Sequence, residues 1–147
     1  MLVALAQIPG YALAAYGVEA WGRKPTLILF LLLSALGCLL FTVAGTSTLV
    51  ATSLLLMSFA LLGTWGALYA FTPELYPTSV RATGMGAAGA MARLGGICAP
   101  TLVGMVVSYS FGVTVGMFAA LLVLGAVAAL MINAAVSYTH LTLPTKR

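Results

Sequence analysis

The side chain best placed to do chemistry is Arg93, a single guanidinium inside a run of small and apolar residues from Thr83 to Ser108. It lies about ten residues into that run, or roughly 15 Å at 1.5 Å per residue. An arginine at that depth in a bilayer costs at least about 2.5 kcal/mol on insertion scales, so it must face protein or a wet cavity and find a partner. The partner is a carbonyl, another helix, water or an anionic ligand. An arginine that merely ties helices together is the plainer account of the same residue. Trp65 and Tyr69 are four apart and share one helix face. Beside a buried cation they would wall a pocket for a flat organic anion; the plainer account is a pair of packing or interfacial aromatics. Gln7 and Tyr11, next to Pro9, form a weaker pair of the same kind.

The remaining charges fall in two short segments. The first is Glu19-Ala20-Trp21-Gly22-Arg23-Lys24-Pro25. Gly22 permits a tight turn, Pro25 suits the first turn of a following helix, and Glu19 and Arg23 are spaced to pair. The second runs from Pro73-Glu74-Leu75-Tyr76-Pro77 to Arg81 and on to Gly86. Its two prolines predict the end of one helix and an extended link. Glu74 then stands at the height of the cations of the first segment. A pair between Glu74 and Arg23 would close that side when formed, and is a switch only if it breaks in another conformation. A simple cationic anchor is the bland reading of both segments.

These residues need helices to position them, and the composition supplies membrane helices. Of 147 residues, 63% are hydrophobic and 5% charged, with a mean hydropathy of +1.16, against roughly 25% charged in a soluble domain. That excludes a soluble globular enzyme, a disordered tail and a nucleic-acid module. The net charge of +4 comes from cations too scattered to form a patch. A bilayer core of about 30 Å takes roughly 20 apolar residues of helix. Five runs qualify: Leu2 to Val18, Pro25 to Ala44, Leu49 to Phe71, Thr83 to Ser108 and Phe111 to Ala135. Continuous rather than alternating apolarity favours helices over a barrel. The reading is an all-α membrane protein with five transmembrane helices. Cationic links stay on the cytoplasmic side, so Glu19–Lys24 and Glu74–Arg81 are expected inside. The uncharged links Gly45 to Thr48 and Tyr109 to Ser110 are expected outside, and the alternation holds for all five spans.

Along the fourth run, Gly84, Ala88, Ala92 and Gly96 recur every four residues, predicting a smooth face for close helix contact. A second row holds Gly86, Gly89 and Arg93. Cys38 and Cys98 sit inside apolar runs with no disulfide or metal spacing. Met57, Met85, Met91 and Met105 read as packing, and no metal or cofactor site is expected. Residues 136–147 break the composition abruptly and resemble one reading frame of a sequencing-library adapter. Setting them aside removes Lys146, Arg147 and the only histidine, His140. Residues 1–135 are then left with four cations and two carboxylates, no His and no Asp. A membrane enzyme would need a nucleophile with its base, or metal ligands, so the chain is read as no enzyme. Met1 leads straight into a span, which with five helices suggests a fragment of a longer gene, without a signal peptide.

Together these motifs resemble the major facilitator superfamily, in its organic ion transporter branch and related bacterial transporters of the aromatic acid, niacin and sugar type. Glu19-x-x-Gly22-Arg23-Lys24-Pro25 is similar to that family's link between the eighth and ninth helices. Pro73-Glu74-Leu75-Tyr76-Pro77-Thr78, followed by Arg81-x-Thr83-Gly84-Met85-Gly86 and Ala92-Arg93-Leu94-Gly95-Gly96-Ile97, is similar to the link into the eleventh. The likeness covers residues 1–135 as helices eight to twelve of twelve. It implies a secondary transporter in the cell membrane that works by alternating access, with the site at the midplane between two six-helix halves. It also implies roles. Glu19, Arg23, Lys24, Glu74 and Arg81 would be cytoplasmic gate charges. Arg93, Trp65 and Tyr69 would bind substrate, Arg93 at a position that is basic in anion-transporting members, and Tyr11 and Gln7 are added as substrate-binding candidates from their pairing on the first span. Tyr11 departs from the lysine that some anion members carry. The implied partners are a small organic solute, most of all an aromatic carboxylate, the lipid bilayer, the missing N-terminal half and a coupling proton, with no nucleic acid. A sugar or neutral-metabolite carrier with Arg93 bonded to backbone is the alternative, and a non-transporting structural subunit is a third reading.

Overall fold

The computed structural model describes residues 2–142, with side chains described for residues 4–132. Five helices follow one another: α1 (Leu2–Ala20), α2 (Arg23–Thr42), α3 (Ser47–Phe71), α4 (Arg81–Val107) and α5 (Phe111–Thr142). A 3-10 turn, Thr72–Leu75, extends α3. Four of the elements are long and apolar enough to cross a membrane: Arg23–Thr42, Ser47–Leu75, Arg81–Val107 and Phe111–Ile132. The fifth, α1, has 19 residues, within the usual length range of spanning helices. Pro9 and Pro100 lie inside α1 and α4 without ending them. The expected boundaries are met to within a few residues at every end but one. The last helix passes the expected stop at Ala135 and reaches Thr142. The composition break at 136–147 lies outside the described side chains, and residues 143–147 lie outside the described residues.

The core is a sheaf of α1, α2, α3 and α5, with α2 against α3 and α5, and α1 against α3. Lipid tails are as apolar as leucine, so contacts of this kind hold by close packing rather than by a hydrophobic drive. Small residues make that possible. Ala14, Ala60 and Ala67 are buried, and Phe30 of α2, 1% exposed, packs with Ala14, Ala60 and Phe59. The backbones come closest at Gly10, against the Phe59 carbonyl, and at Gly63, whose missing side chain leaves the room the Phe30 ring occupies. Ser34 and Thr64 meet between α2 and α3. Each gives its proton to its own helix, to the Phe30 and Ala60 carbonyls at 2.8 and 2.9 Å, so the 3.5 Å between the two hydroxyls is a loose contact.

Helix α4 stands apart from this sheaf. None of its residues is buried, and it meets the rest only through α5 and the 3-10 turn. The row of small residues expected to make a close helix contact does not make one here. A Cβ at Gly86, Gly89, Gly95, Gly96 or Gly104 would meet nothing within 4 Å. Gly84 alone is covered, by the ring of Tyr76. Spacing shows that a face is smooth, and which neighbour faces it is decided elsewhere in the fold.

Candidate functional site

The link between α3 and α4 sets the mouth of the site. The expected extended link is only partly extended. Pro73 sits in the first turn of the 3-10 segment, where its missing N–H breaks no bond, and Thr72 before it remains helical at φ −58° and ψ −41°. The chain becomes extended at Tyr76 (φ −113°, ψ 137°), just before Pro77, as the ring of a following proline demands. The 3-10 turn presents the Glu74 carboxylate to the link between α1 and α2, where it forms an ion pair with the Arg23 guanidinium. Both side chains are about half exposed, and among the described residues no other ion pair is found.

The pairing of Glu19 with Arg23 that their spacing suggested is absent, for a plain backbone reason. Helix α1 ends at Ala20 and α2 begins at Arg23, and Gly22 between them takes φ 94°, a left-handed value that favours glycine. Four residues of spacing bring side chains together only along one unbroken helix. Glu19 instead edges a second cleft with Tyr11, Val18 and Gly66. Lys24 leaves the charged cluster and donates to the Leu130 carbonyl of α5 at 2.9 Å, tying two neighbouring helices at this end. Arg81 is exposed at the first residue of α4.

Deeper between α3 and α4 is a cleft of about 350 Å³, lined by Trp65, Leu68, Tyr69, Thr72, Met85, Ala88, Gly89, Ala92 and Arg93. Arg93 is the twelfth residue beyond Arg81 in a helix of 27 residues, close to its middle, hence about 18 Å from one end and about 21 Å from the other. No hydrogen bond or ion pair to Arg93 is found among the described residues. Trp65 and Tyr69 stack on each other, ring centroids 5.5 Å apart at 28°. They are 48% and 62% exposed. The stacking closes the space between the two rings, and what they present to the cleft is their outer faces and edges. Ala88, Gly89 and Ala92 leave the opposite wall flat. The cleft thus joins a delocalised cation with unspent donors, aromatic surface and a smooth floor, which is what a planar anion needs.

Gln7 and Tyr11 are not part of this cleft. Tyr11 packs beside Gly66 on the neighbouring face of α3, in the smaller cleft of about 250 Å³ that Glu19 edges. Gln7 is half-buried on α1 and lines neither cleft. Reading the sequence missed Thr72 and Met85. Their signal was the helical repeat itself, Thr72 continuing the row of Trp65, Leu68 and Tyr69.

Residues 1–146 fit the family model described as Major Facilitator Superfamily. The chain belongs to that superfamily. Among its relatives, the candidate niacin/nicotinamide transporter NiaP of Bacillus subtilis (strain 168) is 41% identical over 143 residues, covering 96% of this chain and 36% of the relative. The niacin transporter NiaP of Acinetobacter baylyi is 46% identical over 103 residues, 70% of this chain and 24% of the relative. An organic cation transporter protein of Drosophila melanogaster is 32% identical over 104 residues, 69% and 19% respectively. The chain thus spans between about a fifth and a third of the length of these superfamily relatives. They are named as transporters and not as enzymes, and the multi-pass membrane setting follows with the family.

Proposed function

We propose that this chain supplies the last five helices of a twelve-helix secondary transporter that moves small organic anions, above all aromatic monocarboxylates, by alternating access. The observation that carries this reading is the position of Arg93, in mid-helix on a solute-sized cleft beside Trp65 and Tyr69. An arginine at mid-depth is tolerated where it faces a cavity and meets opposite charge. A carboxylate supplies that charge and takes the guanidinium in two parallel bonds, while its ring covers the aromatic surface. Two relatives named for niacin, itself an aromatic acid, support a solute of this size.

The open face of α4 supports the rest of the architecture. A helix with an arginine at its centre and bare glycines around it gains little from lipid, so we assign its opposite side to the missing N-terminal half. The two carboxylates, Glu19 and Glu74, stand at helix ends away from Arg93. Neither is assigned to a coupling proton. The Arg23–Glu74 pair serves as the cytoplasmic gate, with Lys24 tied to α5 and Arg81 at the start of α4 as further cations on the same side.

The sugar-carrier alternative needs Arg93 spent on backbone, and no described carbonyl takes it. Competition tests the choice. In the full-length carrier, uptake of a labelled aromatic acid should be inhibited by unlabelled benzoate-like acids and not by sugars at equal concentration. Inhibition by sugars as strong as by acids would reject the anion reading.

A further inference from the structure

Thr72 lines the Arg93 cleft one helical turn beyond Tyr69. Its Oγ1 donates to the Leu68 carbonyl at 2.8 Å. A threonine hydroxyl has one proton and two lone pairs. With the proton committed inside its own helix, what Thr72 offers the cleft is an acceptor. Arg93, at the other end, offers only donors. The cleft therefore has two polar ends of opposite kind, with aromatic and small apolar residues between them.

The length between these ends follows from the helices. Thr72 lies where α3 gives way to the 3-10 turn and Met85 lies in the second turn of α4, both near the charged links. Trp65 and Arg93 are seven and eight residues farther in, about 10 to 12 Å at 1.5 Å per residue. Long side chains on a helix lean toward its N-terminus, so the guanidinium reaches back toward the Thr72 end. One substituted ring fills the span that remains.

We infer that the preferred solute of this cleft is a single-ring aromatic acid with a hydroxyl or amino donor on the ring away from its carboxylate, the donor bonding to Thr72 Oγ1 while the carboxylate meets Arg93. This deepens the anion reading and rests on it. A ring with only an acceptor at that end, such as a pyridine nitrogen, sets lone pairs against lone pairs and gains no bond there.

The test is a ranking of inhibitors of labelled benzoate uptake by the full-length carrier. Unlabelled 4-hydroxybenzoate and 4-aminobenzoate should inhibit at roughly three- to tenfold lower concentration than benzoate or nicotinate, the size of one net hydrogen bond. Thr72→Val should remove that advantage, and Thr72→Ser should keep it. Equal inhibition by substituted and plain acids in the wild-type carrier, or a preference for nicotinate, overturns the acceptor role and leaves the Arg93 reading standing. If no acid inhibits better than its own amide, the anion reading falls and this inference falls with it. Should Thr72→Val fail to reach the membrane, the wild-type ranking and Thr72→Ser decide.

Discussion

Arg93→Ala lowers the uptake of aromatic acids by at least about thirtyfold in the full-length carrier, while the amount of protein in the membrane stays the same. Removing one partner of a desolvated charge pair costs about 2–5 kcal/mol, and each 1.4 kcal/mol is a factor of ten. The membrane content should not fall, because the substitution also removes an insertion cost of about 2.5 kcal/mol or more. This separates a binding arginine from a structural one, whose loss would lower yield or thermal stability along with transport. Arg93→Lys keeps the charge and loses the planar fork that takes a carboxylate in two bonds, so uptake should fall to an intermediate level. Uptake of acids unchanged in Arg93→Ala, measured against protein in the membrane by immunoblot, would remove the residue from the site.

Reversing either charge of the proposed gate should lower transport about tenfold, and reversing both should restore it to within about threefold of wild type. Arg23 and Glu74 pair at the charged end of α2 and α3, each about half exposed. Exposed pairs are worth about 0.2–1 kcal/mol. A link of that strength suits a gate that opens in every cycle, since it shifts the balance of two states by only a few-fold. Arg23→Glu or Glu74→Arg turns the attraction into repulsion, close to the remaining cations in the second case. The double reversal recreates the pair with its partners exchanged. Initial rates of labelled-acid uptake measure this, and a double reversal as poor as the singles would exclude direct pairing as the working contact.

Much of this was legible in the sequence because membrane helices declare themselves by length and apolarity. Arg93 was conspicuous as the lone charge within a span, and Trp65 with Tyr69 as an aromatic pair at helical spacing. Their convergence on one cleft follows from the short link between α3 and α4. Glu74 opposite Arg23 was legible for the same reason, both lying in short links on one side. What stayed hidden depended on neighbours. Bare and packed glycines look alike in sequence, yet Gly63 meets Phe30 while Gly89 opens on the cleft. Tyr11 of α1 packs beside Gly66 on the adjacent face of α3 and not with Arg93. The expected Glu19–Arg23 pair failed because the positive φ of Gly22 breaks the helix between them. The helical repeat could have placed Thr72 on the row of Trp65 and Tyr69, but not its role as an acceptor, since where its proton goes is fixed by the backbone carbonyl one turn back.

The central claim is that a negative charge on the solute is what Arg93 recognises. Its most direct test is the uptake of benzoate against benzamide by the full-length carrier, two molecules of one shape that differ in charge. The acid should enter at least about tenfold faster at equal low concentration, and Arg93→Ala should erase the difference. Equal uptake of the two by the wild-type carrier would contradict the claim.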